Sequence, residues 1–133
     1  MKVDGACHCG QITFEAEIDP ERVRICHCAD CQTLSGSAFR VSAPAPEASF
    51  RLLSGAPKEY IKTAESGAKR MQTFCADCGT QLYATSPAGT DRTFNIRVGT
   101  LRQRRQLVPK GQLWSRSRLP WLPDLPGEAL DRQ

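Results

Sequence analysis

Cysteine is the residue type in this sequence whose number and spacing could support chemistry. The chain has 133 residues and seven cysteines, which fall into three short clusters. Zinc is commonly bound by thiolates, and four of them complete its tetrahedron. Seven thiols therefore divide into one closed four-ligand site and one three-ligand site with an open position, where a reaction could take place. The clusters are Cys7 and Cys9; Cys26, Cys28 and Cys31; and Cys75 and Cys78.

The residues that follow the clusters indicate which cysteines share a metal ion. Glycine follows the first and third clusters, at Gly10 and Gly79, whereas Gln32 follows the second. Glycine at this point permits the positive φ that turns backbone N–H groups toward the sulfurs. The four thiols predicted to form a closed, structural zinc site are Cys7, Cys9, Cys75 and Cys78.

The second cluster, Cys26, Cys28 and Cys31, supplies three thiolates from one short segment. We therefore predict a second zinc ion, making two per chain, with a fourth position open to water or substrate. Three thiolates leave such a site with a net negative charge, which lowers its Lewis acidity and favours exchange of the fourth ligand. Two alternatives remain. The cysteines are buried or redox-active without a metal, or another residue supplies a fourth ligand.

Each of the two histidines, His8 and His27, lies between two cysteines. If the flanking thiols converge on a metal, the side chain between them points elsewhere. Packing beside the ligands is therefore the favoured interpretation for both. His27 could alternatively transfer a proton next to the open site.

Length and charge limit the class of protein. A chain of 133 residues that is 40% hydrophobic predicts one domain over residues 1–133, with a modest core. The formal net charge is +4, but coordination of zinc by seven thiolates would offset most of it, so the charge does not favour a nucleic-acid partner. The basic stretch from Arg102 to Arg105 has no aromatic residue for base stacking and is predicted to be a solvated loop.

The cellular environment is predicted from segments that the sequence lacks. The amino terminus has no apolar stretch behind its charge, and no apolar run approaches the roughly 20 residues needed to cross a bilayer. An odd number of cysteines without an export signal disfavours a disulfide framework. The sequence therefore predicts a cytoplasmic protein with no membrane partner, and it leaves the oligomeric state undetermined.

The alternation of apolar and polar residues predicts an all-β fold. It is clearest over residues 12–18 and 94–98, as expected of strands with one buried face. Only residues 29–34 have the composition of a short helical turn. Four prolines from Pro109 onward disfavour long regular structure and predict a tail laid over the sheets. Shorter candidate strands lie at 23–26, 39–41, 50–53, 59–62, 71–74 and 81–84.

Several motifs together resemble the glutathione-dependent formaldehyde-activating enzyme family, which also contains centromere protein V. The resemblance extends from Cys7 to about Leu125. The motifs are Cys7-His-Cys-Gly10; Cys26-His-Cys-Ala-Asp-Cys31 followed by Gln-Thr-Leu-Ser-Gly-Ser-Ala-Phe39; Arg70-Met-Gln-Thr-Phe-Cys-Ala-Asp-Cys78-Gly; Leu113-Trp114; and Leu119-Pro-Trp121.

This resemblance implies a β-tent of small antiparallel sheets stapled by zinc, with little helix. It implies the same division of the cysteines between a structural and a second zinc ion. The activity it implies is that of a carbon–sulfur lyase that joins formaldehyde to glutathione to give S-(hydroxymethyl)glutathione. The three thiols of the second cluster would then hold the catalytic metal, and the partner would be a small thiol or aldehyde.

Contacts to such a substrate are predicted next to the metal segments. Ser35-Gly36-Ser37 could present hydroxyl or backbone N–H groups, or could simply end the turn after the second cluster. Glutathione has two carboxylates, with which Arg40, Lys69 and Arg70 could pair. Trp114 and Trp121 are predicted to cover a sheet or pocket.

Two hypotheses of different classes follow. The first is a zinc-dependent lyase acting on a small thiol adduct, which requires an exchangeable metal position and a pocket beside Cys31. The second is a zinc-stabilised binding or scaffold module without catalysis, in which the second cluster is structural. The count of three thiols in that cluster favours the lyase.

Overall fold

The computed structural model describes residues 1–132 and consists mainly of β-strands. This confirms the all-β prediction, and the described residues contain a single α-helix, α1, at Ala29–Ser35. The strands are β1 (Lys2–Ala6), β2 (Thr13–Glu17), β3 (Arg24–Cys26), β4 (Arg40–Pro46), β5 (Arg51–Ser54), β6 (Lys58–Thr63), β7 (Lys69–Phe74), β8 (Gln81–Thr85), β9 (Thr93–Arg97), β10 (Gly111–Leu113) and β11 (Glu128–Ala129). Within residues 1–132, no helix has the length and apolar character needed to span a membrane.

The strands form two sheets. The smaller has the order β1-β2-β5, and the larger has the order β11-β10-β3-β4-β9-β8-β7-β6. Neighbouring strands are antiparallel except at one edge of the large sheet, where β10 runs parallel to both β3 and β11. The proline-rich tail therefore adds two short strands to the large sheet instead of only lying over it.

Side chains from both sheets share one hydrophobic core. Val3 and Phe14 of the small sheet and Ala43 and Ile96 of the large sheet are almost completely buried in the same cluster. Phe50 connects the two layers, because its ring centroid lies 5.4 Å from that of Phe14 and 4.8 Å from that of Phe94. Aromatic pairs at these separations contribute beyond the apolar area that they bury.

The two faces of the central strands of the large sheet have different surroundings. Ala43 on β4 and Ile96 on β9 face the core, whereas their neighbours Ser42 and Arg97 line a cavity on the opposite side. Successive side chains of a strand point to opposite faces, so the same short segments serve packing and the cavity.

The structure extends the predicted strand pattern at three places. β1 and the tail strands were not predicted, and β4 continues to Pro46, well beyond residue 41. Proline is rare in central strands because it lacks an N–H group. Here β3 pairs only with Arg40–Ser42, so from Pro44 onward β4 has a single neighbour, β9, and the missing donor is tolerated.

The prediction that Trp121 packs is wrong, because this residue is 70% exposed.

Truncation of Ile96 tests the position of the core. Ile96 is fully buried in β9, whereas Ile61 of edge strand β6 in the same sheet is 50% exposed. Ile96→Ala should lower the free energy of unfolding by about 2–5 kcal/mol through lost burial and the cavity left behind. Urea unfolding of the metal-saturated protein measures this. The matched control Ile61→Ala should cost well under half as much, and equal losses would contradict the assigned core.

Candidate metal centres and the adjoining cavity

The first and third cysteine clusters of the sequence come together, because the thiols of Cys7, Cys9, Cys75 and Cys78 converge on one point. These four thiols are called the first cluster from here on, and Cys26, Cys28 and Cys31 remain the second cluster. Their sulfur atoms all lie within 4.8 Å of one another. Cys9 Sγ is 3.5 Å from Cys7 Sγ and 3.8 Å from Cys75 Sγ. Zinc–sulfur bonds of about 2.3 Å in a tetrahedron separate the sulfurs by roughly 3.8 Å, so this donor set fits zinc. All seven cysteines of the chain are free thiols.

Two similar backbone turns position these four thiols. Cys7 and Cys75 each donate a backbone N–H to the carbonyl oxygen five residues later, at 3.0 and 2.9 Å. Gly10 and Gly79 have φ angles of 80° and 76°, which are strained for any residue with a Cβ. The turns follow β1 of the small sheet and β7 of the large sheet, so the cluster joins the two sheets.

Hydrogen bonds to sulfur stabilise the thiolate form of Cys7 and Cys78, the two members of this cluster whose pKa is lowered. The Ile12 backbone N–H donates to Cys7 Sγ at 3.3 Å, and Cys78 Sγ lies 3.2 Å from the Thr80 hydroxyl. The Thr80 hydroxyl, together with neighbouring backbone N–H groups, lowers the pKa of Cys78 to about 5. Since a metal binds the thiolate and not the thiol, these bonds favour metal binding.

The second cluster is built on the junction between β3 and α1. Cys26 ends β3, Cys28 is the N-cap of α1, and Cys31 lies in the first turn of that helix. The three sulfurs lie within 4.8 Å of one another. The Cys31 backbone N–H donates to Cys28 Sγ at 3.3 Å, so the cap that starts the helix also orients a ligand.

The thiols of this cluster shift one another's pKa values through hydrogen bonds. Hydrogen bonds from the Cys26 and Cys31 thiols lower the pKa of Cys28 to about 2, and the same bonds raise the pKa of Cys26. These bonds therefore favour the thiolate form at Cys28, whereas Cys26 retains its proton more strongly than an ordinary thiol. A metal ion would replace the remaining thiol protons, and three convergent sulfurs of this kind suit a thiophilic ion such as zinc.

A cavity of about 1250 Å³ adjoins the second cluster, and all three of its cysteines are part of the lining. Further lining comes from the large sheet and from Leu113 and Trp114 of the tail. The described lining includes none of the four thiols of the first cluster. Only the three-thiol centre is therefore open to a small molecule in this cavity.

His27 is a packing residue. Its side chain is fully buried, its ring centroid lies 5.9 Å from that of Phe39, and its Nε2 lies 2.9 Å from Gln112 Oε1. It is absent from the described lining of the cavity. The packing interpretation thus fits the structure, whereas no local signal identifies Gln112 as the partner, because it lies 85 residues away in the chain.

Ser35, Gly36 and Ser37 end the helix. Gly36 has a φ of 67° and donates its backbone N–H to Gln32 O at 2.9 Å, which caps α1. The Ser37 backbone N–H donates to Ser35 Oγ at 3.2 Å. The described lining of the cavity contains none of the three, so their contact with a substrate stays a prediction.

The basic residues predicted beside the metal segments differ from the set of basic residues that lines the cavity. Arg40 and Arg70 line the cavity, whereas Lys69 hydrogen-bonds Thr63 outside it. Arg97 lines the cavity too, although its alternation with buried neighbours on β9 predicted an exposed residue. Arg102 is exposed and pairs with a surface carboxylate at 2.9 Å, consistent with the predicted solvated loop.

The comparison with known families agrees with this geometry. The family model of the glutathione-dependent formaldehyde-activating enzyme matches residues 2–117. The chain belongs to this family. Membership in the formaldehyde-activating family implies a function related to formaldehyde and glutathione. The matched region contains all seven cysteines, whereas the chain after Ser117 lies outside it.

A solved structure supports the fold assignment independently. A protein of Rhodobacter sphaeroides from a structural genomics programme superposes with a TM-score of 0.58, at 22% sequence identity. The alignment covers 74% of this chain and 87% of that chain. At this identity the likeness shows a common fold.

Loss of a thiol from the first cluster should unfold the protein. We expect Cys78→Ser to lose cooperative folding, because structural zinc contributes on the order of 10 kcal/mol in small domains. Circular dichroism and elemental analysis measure fold and zinc content, with two zinc ions per chain expected for the unaltered protein. A folded Cys78→Ser variant that still binds two zinc ions would refute the structural role.

Proposed function

We propose that the protein is a zinc-dependent carbon–sulfur lyase that acts on a small thiol adduct such as S-(hydroxymethyl)glutathione. The observation that carries the proposal is the convergence of Cys26, Cys28 and Cys31 at the wall of a cavity. Membership in the formaldehyde-activating family supports the choice of thiol and aldehyde. A three-thiol donor set leaves one tetrahedral position for a substrate, as in catalytic zinc sites.

The reaction needs no redox partner. The sulfur of the thiol bonds to the carbonyl carbon of the aldehyde, and the thiol proton ends on the former carbonyl oxygen. The reverse reaction breaks the same carbon–sulfur bond and returns the proton to sulfur. The task of the site is therefore to stabilise a thiolate and to hold sulfur and carbon close together.

Zinc bound to the second cluster would supply an exchangeable position with Lewis acidity for the thiol or aldehyde. The surrounding side chains stabilise negative charge on sulfur. Arg40 lies directly opposite Cys26 in the register of β4 and β3, which places a positive charge beside the cluster. Lys62, which pairs with Asp30 at 2.7 Å, adds positive charge near Cys28.

Backbone and amide hydrogen bonds hold the cluster rigidly. The backbone N–H of His27 donates to Leu113 O at 3.0 Å. The side-chain amide of Gln32 donates to His27 O at 2.8 Å and to Ser117 O at 3.1 Å. The segment that bears the cysteines is thus fixed to the tail that forms part of the cavity wall, which keeps the reacting groups in a constant geometry.

Replacement of Cys28 separates catalysis from scaffold function. We expect Cys28→Ser to keep its fold, to bind one zinc ion instead of two, and to lose catalysis of hydroxymethyl exchange, because two thiolates no longer retain the second ion. NMR exchange between labelled formaldehyde and its glutathione adduct measures the rate above the uncatalysed background.

Two results would contradict the proposal. If Cys28→Ser unfolds as Cys78→Ser is expected to, the second cluster is structural and the binding-module hypothesis gains support. If the variant binds one zinc ion and still catalyses the exchange at the rate of the unaltered protein, the three-thiol centre is not the site of the reaction.

A further inference from the structure

Basic side chains outnumber acidic ones in the wall of the cavity. Within the described residues, the acidic members of the lining are Asp30 and Glu65, whereas arginines come from β3, β4, β7 and β9 of the large sheet. A charge that is removed from water is costly unless it is paired. The members of the lining that lack a partner therefore indicate where a charged ligand would bind.

Three of the basic residues are already engaged. The Arg24 guanidinium donates to two backbone carbonyl oxygens beside its own strand, each at 3.0 Å. Lys62 pairs with Asp30 at 2.7 Å. The guanidinium of Arg132 lies over the Trp114 ring, 6.0 Å from its centroid. These side chains are poor candidates for binding a ligand.

Arg40 and Arg97 are placed to balance the charge of the second cluster. Arg40 lies opposite Cys26, and Arg97 lies on β9, the other neighbour of β4. Burial lowers the pKa of Arg97 to about 9, and the negative charges of Cys31 and Cys26 oppose this shift. Three thiolates around one zinc ion have a single net negative charge, and a substrate thiolate would add a second. Two arginines are enough to balance both.

Arg70 is left without an anionic partner. It is half-buried in the cavity wall, and the hydrogen bond that its guanidinium makes within residues 1–132 is a long one, 3.4 Å to the Ser86 hydroxyl. Burial lowers the pKa of Arg70, which expresses the cost of desolvating its charge. The ion pairs of the described residues do not include it.

Glu65 is an unpaired charge of the opposite sign on the same hairpin. The turn between β6 and β7, closed by a 2.8 Å hydrogen bond from the Ala64 N–H to Ala68 O, contains Glu65. Its side chain lines the cavity and belongs to none of the ion pairs in residues 1–132. The tip of this hairpin therefore presents a free carboxylate and a free guanidinium to one cavity. Glu65 and Arg70 are called the hairpin site.

The ion pair between Lys62 and Asp30 connects the hairpin site to the second cluster. Asp30 lies between two cysteines of that cluster on α1. Lys62 lies directly opposite Arg70 in the register of β6 and β7. Neighbouring strands are about 5 Å apart, so Arg70 begins one strand spacing from a residue that contacts the helix of the cluster. A ligand with its sulfur at the cluster can thus reach the hairpin site with its other end.

We propose that the hairpin site binds the α-amino acid end of the thiol substrate, with the carboxylate on Arg70 and the ammonium group on Glu65. This inference rests on the proposed function, which places the sulfur at the second cluster. A zwitterionic end pairs both charges at once, whereas an anion alone would leave Glu65 unpaired and a cation alone would leave Arg70 unpaired. The γ-glutamyl residue of glutathione has such an end. The site therefore selects thiols with a free α-amino acid end over simple thiols.

Altered forms of glutathione test which end of the substrate is recognised. The glycyl ethyl ester of glutathione and γ-glutamylcysteine both retain the α-amino acid end, so their KM values in hydroxymethyl exchange should stay close to that of glutathione. Acetylation of the amino group removes the ammonium charge and should raise KM roughly tenfold with little change in kcat, because this contact is the same before and during the reaction. Equal KM values for glutathione and its N-acetyl form, or an equally large loss on glycyl esterification, would overturn the proposal.

Substitutions on the hairpin test the two residues. Arg70→Gln and Glu65→Gln should each raise KM for glutathione roughly tenfold. The matched controls are Lys69→Gln, which removes the same charge from the adjacent residue outside the cavity, and Glu59→Gln on β6 of the same hairpin. Both controls should leave KM unchanged, and Glu65→Gln should have no effect on KM for N-acetylglutathione. Equal losses in the variants and their controls would refute the assignment.

A ligand without a free thiol keeps the hairpin site separate from the lyase. S-Methylglutathione has the same α-amino acid end but cannot form a hydroxymethyl adduct. Calorimetric titration of the zinc-loaded protein should show that it binds the unaltered protein and Lys69→Gln equally and Arg70→Gln roughly tenfold more weakly. That result would establish the hairpin site even if no thiol is turned over. If S-methylglutathione does not bind, or binds Arg70→Gln as tightly as the unaltered protein, the hairpin site is refuted, and exchange of glutathione by the same preparation would show that the lyase stands.

Discussion

The convergence of four sulfurs at the junction of the two sheets is the constraint on which the rest of the structure depends. Cys7 and Cys9 leave the small sheet after β1, and Cys75 and Cys78 leave the large sheet after β7. The hydrophobic core between the sheets is small, and a metal bound there would replace many apolar contacts with a few strong bonds. With that junction fixed, the opposite face of the large sheet is free to form a cavity.

Local signals allowed much of this arrangement to be predicted from the sequence. Glycine after a thiol pair identified the members of the first cluster, because the positive φ of Gly10 and Gly79 is a local property. The alternation of apolar and polar residues identified most strands, because it too is a local property of the sequence. β1 was missed because the reason for its glycine, Gly5, lies in residues that are distant in sequence. A Cβ at position 5 would lie 2.6 Å from the Phe14 ring and 2.6 Å from Thr100 O.

The cationic cavity could not be predicted because it depends on which strands become neighbours. Arg24, Ser42 and Arg97 are far apart in sequence and adjacent only in the sheet register. Alternation correctly placed Arg97 on the face away from the core, yet Arg97 is buried there and not exposed to solvent. The side chains that face the core and the cavity come from the same strands, so core packing and the cavity wall are linked through β4 and β9.

The end of the tail, after Ser117, is the part of the chain best placed to vary the cavity without disturbing the metal sites, because the bonds to the cysteine segment come from Leu113 and Ser117. Trp114 lines the cavity with a φ of 55°, a conformation that is costly for a residue with a Cβ. The end of the chain holds Trp114 in this conformation, because the Trp114 backbone N–H donates to Arg132 O at 2.6 Å. Ser115 donates two further hydrogen bonds to Leu130 O, one from its backbone N–H and one from its hydroxyl. Arg132 also lies in the cavity lining, beyond the part of the chain that the family model matches. Changes in this segment would therefore alter the wall and charge of the cavity while every cysteine stays in place.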